Sequence, residues 1–380
     1  MKYRTFPRIP GAQVSVLGFG AMRLPVVDGD MSRIDELPAQ ALLRQAIDGG
    51  VNYVDTAYVY HGGESEAFVG RALKDGYRAK VHLATKMPVW MVTGEADWDR
   101  LLDEQLKRLD TDCIDFYLLH ALSEARWAPV VEYRGLQAME RAKADGRIKH
   151  LGFSFHDSLK AFKTILDAYD WEFCQIQYNF MDGQYQAGTE GLAYAAARGV
   201  GVIAMEPLRG GTLAVEQPAE VQALWAQAAT PRPPAAWALQ WVWNHPEVIT
   251  ALSGMNASAQ VEANLAAARE AEAGGLTPAD LALVEAVRAF YTAHMKVPCT
   301  TCGYCCPCPS GVNIPEAFAT YNTGSMFGNW DTARWLYQTF LAGPGHGADR
   351  CVACGACEPQ CPQHIDIVER LREAHRALTP

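Results

Sequence analysis

Two short runs of the chain concentrate its sulfur. CTTCGYCCPCP (299–309) and CVACGACEPQCP (351–362) hold nine of the 11 cysteines. Cys351, Cys354 and Cys357 follow C-x2-C-x2-C, and Cys361 adds x3-C-P, the spacing with which a chain wraps thiolates around a 4Fe–4S cluster. Cys299, Cys302 and Cys305 repeat the triplet, with Cys308 before Pro309 after a gap one residue shorter. In such runs the fourth cysteine serves the other cluster, because the chain turns away at the proline. The expected ligand sets are therefore Cys299, Cys302, Cys305 and Cys361, and Cys351, Cys354, Cys357 and Cys308. Cys306 is left over and reads as a spare thiol packed beside a cluster. Zinc also takes C-x2-C pairs. Two triplets, each followed by Cys-Pro, exceed what two zinc sites need.

A second set of reactive groups lies upstream. NYVDTAYVYHGGESE carries Asp55 and Tyr60, HLATKMP carries Lys86, and FYLLHAL carries His120. Each sits at or just beyond the end of an apolar run. A phenol, an amine, a carboxylate and an imidazole at one mouth can reduce a carbonyl. The tyrosine would deliver the proton, and an ammonium held by the carboxylate would lower its pKa. The imidazole would orient the substrate oxygen.

Stepping outward to what must hold these groups, eight apolar runs read as buried strands: 14–19, 52–57, 81–86, 114–120, 150–155, 173–179, 201–206 and 248–253. Amphipathic stretches lie between them. In WDRLLDEQLKRLD, Leu102, Leu106 and Leu109 share one helix face. Eight strand–helix alternations predict an α/β fold, a (βα)8 TIM barrel rather than an open doubly wound sheet. Active sites of such barrels lie at the C-terminal strand ends, where the four groups fall. After a further helix at 276–295 the pattern changes to cysteine, proline and glycine. The expected domains are a barrel over 1–292 and a small α-helical, ferredoxin-like two-cluster domain over 293–380.

The net charge of −10 argues against nucleic acid or an anionic membrane as partner. No signal peptide or membrane span is read in the sequence, and clustered cysteines fit a reducing, cytoplasmic setting.

Taken in order, DTAYVYHGGESEAFVGRAL, ATKMP, LLH and GFS resemble the aldo-keto reductase family over roughly residues 1–290. The tail is similar to the dicluster extension of that family's ferredoxin-containing branch, including GVNIPEAF at 311–318. The resemblance implies Tyr60 as general acid/base, Asp55 and Lys86 as the groups that tune it, and His120 as the group that orients the carbonyl. It implies NADP or NAD bound across the mouth without a Rossmann loop. Gly20, Ala21 and Met22 match the first loop, Ser154 and Gln175 the carboxamide contacts, and Asn264 the adenine contact. Met205 stands where an aromatic ring usually stacks, though a thioether can also pack flat on a ring. Phe155 replaces a common asparagine and is followed by His156. Gly254 and Gln260 replace the Lys and Arg of the 2′-phosphate-binding branch, which weakens the case for NADP; Arg209 supplies charge there or faces solvent.

Hydride transfer moves two electrons and clusters pass one at a time, so a flavin stays open, without a motif to support it. The expected substrate is a small carbonyl or alcohol compound. The alternative is an electron-transfer component whose barrel is a cofactor or docking platform and whose clusters exchange electrons with a redox protein partner. A third reading makes the clusters a structural clamp. Cys113, Cys174, Trp237, Trp241 and Trp243 read as core, His61 as a loop residue, and Trp90 as a candidate pocket wall.

Overall fold

The computed structural model describes residues 1–299, 303, 305–361 and 363–380. Contacts divide them into two compact units, residues 1–214 with 232–278, and residues 215–231 with 279–380. Helix Pro278–Ala293, read from sequence as the end of the barrel module, groups with the second unit after its first residue. Its Tyr291 packs on Phe327 with ring centroids 4.5 Å apart.

The first unit opens with a hairpin, β1 (Tyr3–Phe6) and β2 (Ile9–Ser15). The barrel strands follow: β3 (Leu17–Gly20), β4 (Tyr53–Asp55), β5 (His82–Met87), β6 (Ile114–Leu122), β7 (Ile148–Phe155), β8 (Phe173–Gln177), β9 (Gly201–Met205) and β10 (Val248–Ser253). All neighbours are parallel, and β10 pairs with β3 to close the ring. The barrel is closed, and the open-sheet alternative is excluded. One expectation is corrected. The run 14–19 is not one strand: it contains the end of hairpin strand β2, the linker Val16 and barrel strand β3. The hairpin was not expected, because its alternation is short and broken by Pro7 and Pro10.

The hairpin fills the N-terminal end of the barrel. Phe6 is fully buried, with ring centroids 5.3 Å from Phe116 and 5.8 Å from Phe173. Side chains alternate inward along each strand. Tyr53, Ala84, Phe116, Leu118, Phe173 and Ile203 make one apolar interior cluster with Phe6. A Cβ on Gly152 would come within 2.7 Å of the Phe173 ring, so glycine there makes room for that layer. Two residues onward along the strands, the same inward face carries Asp55, Lys86, His120, Ser154, Gln175 and Met205. The strand period thus places a polar layer directly above an apolar one.

The second unit is helical, with helices Ile314–Phe327, Trp330–Tyr337 and Ile367–Leu378 around a small core. Asn322 anchors the entrance to the first cysteine run: Oδ1 accepts from the Val297 N–H (2.9 Å) and Nδ2 donates to the Val297 carbonyl (2.7 Å). The Tyr337 hydroxyl accepts from the Ala348 N–H at 2.7 Å just before the second run. Among the described residues no helix is long and apolar enough to cross a membrane.

Candidate functional site: a barrel mouth and a cysteine-lined core

At the barrel mouth three of the four expected groups form one chain of contacts. Lys86 Nζ donates to Asp55 Oδ1 (2.6 Å), to the Thr56 carbonyl (2.8 Å) and to the Tyr60 hydroxyl (3.3 Å). Lys86 and Asp55 are buried. His120 completes the group edge-on to Tyr60, with ring centroids 6.1 Å apart.

The electrostatics differ from the sequence expectation at one point. Burial pushes the Tyr60 hydroxyl pKa up; the Lys86 ammonium lowers it but does not prevail, and the Asp55 and Glu206 carboxylates add to the rise. Tyr60 is therefore held as a neutral phenol rather than a partly ionised one. Asp55 is also shifted up, by burial against the pull of Lys86. Burial works against the charge on Lys86, yet Asp55 and Tyr60 together carry its pKa upward, and it stays an ammonium. Burial drives the His120 pKa far down, helped by Lys86, so His120 is neutral, and its Nδ1 is buried without a partner.

Just beyond His120 the strand is irregular. The β6–β7 register shifts between Leu119 and Leu122, and Ala121 adopts a left-handed φ of 52°. A non-glycine residue is strained there. Two bonds hold it: the Ala121 N–H donates to Ser154 Oγ (2.7 Å), and Arg126 Nη1 donates to the Ala121 carbonyl (3.1 Å).

The residues expected to contact the cofactor fall at the same strand ends and on the segments that follow them. The Ala21 N–H donates to the Asp55 carbonyl at 2.8 Å, which seats the loop of Gly20, Ala21 and the exposed Met22 against β4. Gln175 Nε2 donates toward the Met205 sulfur at 3.5 Å, while its Oε1 is buried without a partner. A carboxamide N–H is the kind of donor that the orphaned oxygen needs. Asn264 is buried and donates to Ser253 Oγ at 3.1 Å. Arg209 is bound to Asp182 through Nε at 3.3 Å, which corrects the solvent-facing reading.

Sequence reasoning passed over several residues here. Arg23 Nη2 meets Glu206 Oε1 at 3.2 Å, bridging the loops after β3 and β9. A Cβ on Gly254 would stand 3.1 Å from the Arg23 side chain, so the missing side chain gives Arg23 its place. Behind β5, the buried carboxylate of Glu66 accepts from Thr85 Oγ1 and Gln105 Nε2, both at 2.6 Å. Only the MEPLRGG stretch carries a local signal for any of these. The others need strands far apart in sequence to be brought together. Trp90 does wall the mouth, 5.2 Å from the His120 ring centroid. His61 does not face it: Nδ1 bonds the Met31 carbonyl (2.8 Å) and Nε2 accepts from the Leu24 N–H (3.2 Å), so it clamps a loop. Cys174, Trp237 and Trp243 are buried, whereas Cys113 and Trp241 are only half-buried.

In the second unit the two cysteine runs meet. Cys299 and Cys305 line one cavity with Cys361 of the other run, walled by Ile314, Phe318 and Ile365. A second cavity is lined by Cys305, Cys306, Cys308, Cys354 and Cys357. Cys351 and Cys308 both act electrostatically on Cys357. Cys302 lies outside the described residues. Gly303 and Gly355 take the same left-handed conformation, φ 78° and 72°, each at the residue after the second cysteine of its run. The runs share this turn as well as their spacing.

Burial, then crowding by Cys306 and Cys299, pushes the Cys305 thiol up to about 12. Crowded thiols resist charging until a metal accepts them. Among the described residues no three His, Cys, Asp or Glu side chains converge on a single metal ion.

Comparison with known proteins agrees with this arrangement. Residues 16–288 match the aldo/keto reductase family and residues 298–365 a 4Fe-4S dicluster domain. The chain is 28% identical over 300 residues to L-galactose dehydrogenase of Arabidopsis thaliana, spanning 73% of this chain and 91% of that protein. It is similar to the holo form of aldo-keto reductase AKR11C1 from Bacillus halodurans, with a TM-score of 0.63, 28% identity, and coverage of 75% of this chain and 96% of that one. An aldo-keto reductase from Klebsiella pneumoniae in complex with NADPH aligns with a TM-score of 0.60 and 26% identity, over 76% of this chain and 96% of that one. The chain belongs to the aldo/keto reductase family and carries a C-terminal 4Fe–4S dicluster domain.

Proposed function

We propose that the protein is a nicotinamide-dependent carbonyl reductase in which Tyr60 is the general acid and base. The observation that carries this reading is the Asp55–Lys86–Tyr60 chain of contacts beside a neutral His120. When bound, the nicotinamide supplies or accepts the hydride. Tyr60 gives its proton to the carbonyl oxygen during reduction and takes it back during alcohol oxidation. The neutral His120 is an uncharged partner that orients that oxygen, and the low polarity below it excludes water. Gln175 and Ser154 would hold the carboxamide, with Met205 against the ring. The NADPH complex of the Klebsiella relative supports a nicotinamide dinucleotide as donor, and the choice between NADPH and NADH stays open.

Two clusters are the best fit to the cysteine core, one held by Cys299, Cys302, Cys305 and Cys361 and the other by Cys308, Cys351, Cys354 and Cys357. A reducing cytoplasmic compartment would keep these thiols available. The two family matches, ending at 288 and starting at 298, support a module seam near 293, whereas contacts group the helix Pro278–Ala293 with the second unit. The electron-transfer reading has one observation in its favour: Cys354 is exposed, which would bring a cluster close to a redox partner.

Replacing Tyr60 with Phe tests the main reading. A general acid contributes about 10² to 10⁴ in rate. Carbonyl reduction by Tyr60→Phe should fall by that factor while the fold and iron content stay intact. Undiminished reduction would overturn the assignment.

A further inference from the structure

The mouth carries three paired cations and one that has no acid. Lys86 is matched by Asp55, Arg23 by Glu206, and Arg209 by Asp182. Arg126, in the first turn of helix Glu124–Glu132, has no carboxylate within 4.0 Å among the described residues. The mouth of a chain with net charge −10 thus keeps one uncancelled positive charge.

Arg126 is held in place. Its backbone N–H donates to the capping Ser123 Oγ at 3.1 Å, and Nη1 is spent on the strained Ala121 carbonyl. Its Cζ lies 4.7 Å from the centroid of the Trp90 ring, whose other neighbour is His120 at 5.2 Å. These two separations bound the distance from the guanidinium to the His120 ring at about 10 Å. A guanidinium has five N–H donors in a fork that fits a carboxylate. One donor is engaged here, and the aromatic face steers the rest.

We propose that Arg126 is a carboxylate-binding residue, and that the substrate is a short oxo acid whose carbonyl lies by Tyr60 and His120 and whose carboxylate is met by the Arg126 guanidinium that Trp90 holds. Reduction then yields the hydroxy acid: the hydride from the nicotinamide bonds to the carbonyl carbon and the Tyr60 proton to its oxygen. The inference rests on the reductase reading for its chemistry, but the anion site itself does not require turnover.

The test uses the full chain with NADPH and two matched aldehydes, 4-carboxybenzaldehyde and methyl 4-formylbenzoate. Wild-type kcat/KM should favour the acid by about 10- to 100-fold, the worth of a charge-assisted contact. In Arg126→Leu that ratio should fall to about one-fold. Arg126→Lys keeps the charge and loses the fork, and should lower the ratio about threefold or more; it decides the matter if the leucine variant does not fold. A wild-type ratio near unity, or one unaffected by both substitutions, would overturn the proposal while leaving the reductase intact. If neither aldehyde is turned over, the reductase reading fails, and calorimetric titration with 4-carboxybenzaldehyde decides the anion site. Heat seen with wild type and lost on substitution supports it; no heat with wild type sinks it.

Discussion

Gln105, outside the barrel, donates from Nε2 to the backbone carbonyl of Lys86 at 3.0 Å. The same nitrogen reaches Glu66 Oε1 at 2.6 Å, and Gln105 Oε1 accepts from the Tyr117 hydroxyl at 2.5 Å. One buried amide thereby ties helix Ala96–Leu109, β5 and β6 together behind Lys86. Gln105→Leu would leave the Glu66 carboxylate and the Tyr117 hydroxyl short of partners. We expect a loss of about 1–3 kcal/mol, the cost of stranding buried polar groups. Urea denaturation gives the value, and an unchanged midpoint would show that the network contributes nothing.

The Lys86–Asp55 pair makes a sharper prediction. Lys86→Met strands a buried carboxylate, at a cost of about 3–5 kcal/mol. Adding Asp55→Asn removes that charge and should restore most of the stability without restoring activity. Thermal melts and kinetics on the same three proteins separate the two effects. Recovery of activity in the double variant would mean that the ammonium is not needed.

Proton supply sets the pH profile. The raised pKa of Tyr60 keeps it protonated beyond its ordinary value of about 10. Carbonyl reduction should stay level across about pH 6–9 and fall only above about 10. Alcohol oxidation needs the ionised form and should rise with pH over the same interval. A reduction rate that falls through neutral pH would exclude a neutral Tyr60 as the donor.

Stability should respond to acid through the histidines. His61, His82, His120 and His245 all have pKa values lowered by burial. The unfolded chain binds their protons near pH 6.5, before the native chain can, so their contribution is complete above about 6.5 and is lost as pH falls toward the native values. Asp55 and Glu66, raised by burial, oppose this nearer the carboxylate range. Melting temperature should be level from about pH 8 to 7 and drop below about 6.5. No drop by about pH 5 would mean that these imidazoles gain protons without unfolding.

Iron content tests the two-cluster reading and the place of Cys306. Two clusters give about eight irons per chain; Cys357→Ala should leave about four, and Cys306→Ala about eight. A loss of iron in Cys306→Ala would make that thiol a ligand.

The sequence by itself determined the barrel, the polar residues at its strand ends and the cysteine spacing. These depend on local periods: alternation along a strand, and a fixed number of residues between thiolates. It did not reveal that Val16 separates two strands, because a continuous apolar run looks the same whether it crosses one sheet or two. Nor did it reveal the net direction of the Tyr60 pKa. That depends on how far Tyr60 itself is withdrawn from water beside Lys86, Asp55 and Glu206, which is a property of the folded barrel. Glu66, Gln105 and Arg126 were silent for a related reason. Each acquires its meaning from partners on other elements, and for Arg126 from the lack of an acidic one among the described residues, while Arg23 and Arg209 of the same mouth are paired. Only the folded chain can show which charges cancel, because cancellation is a matter of distance.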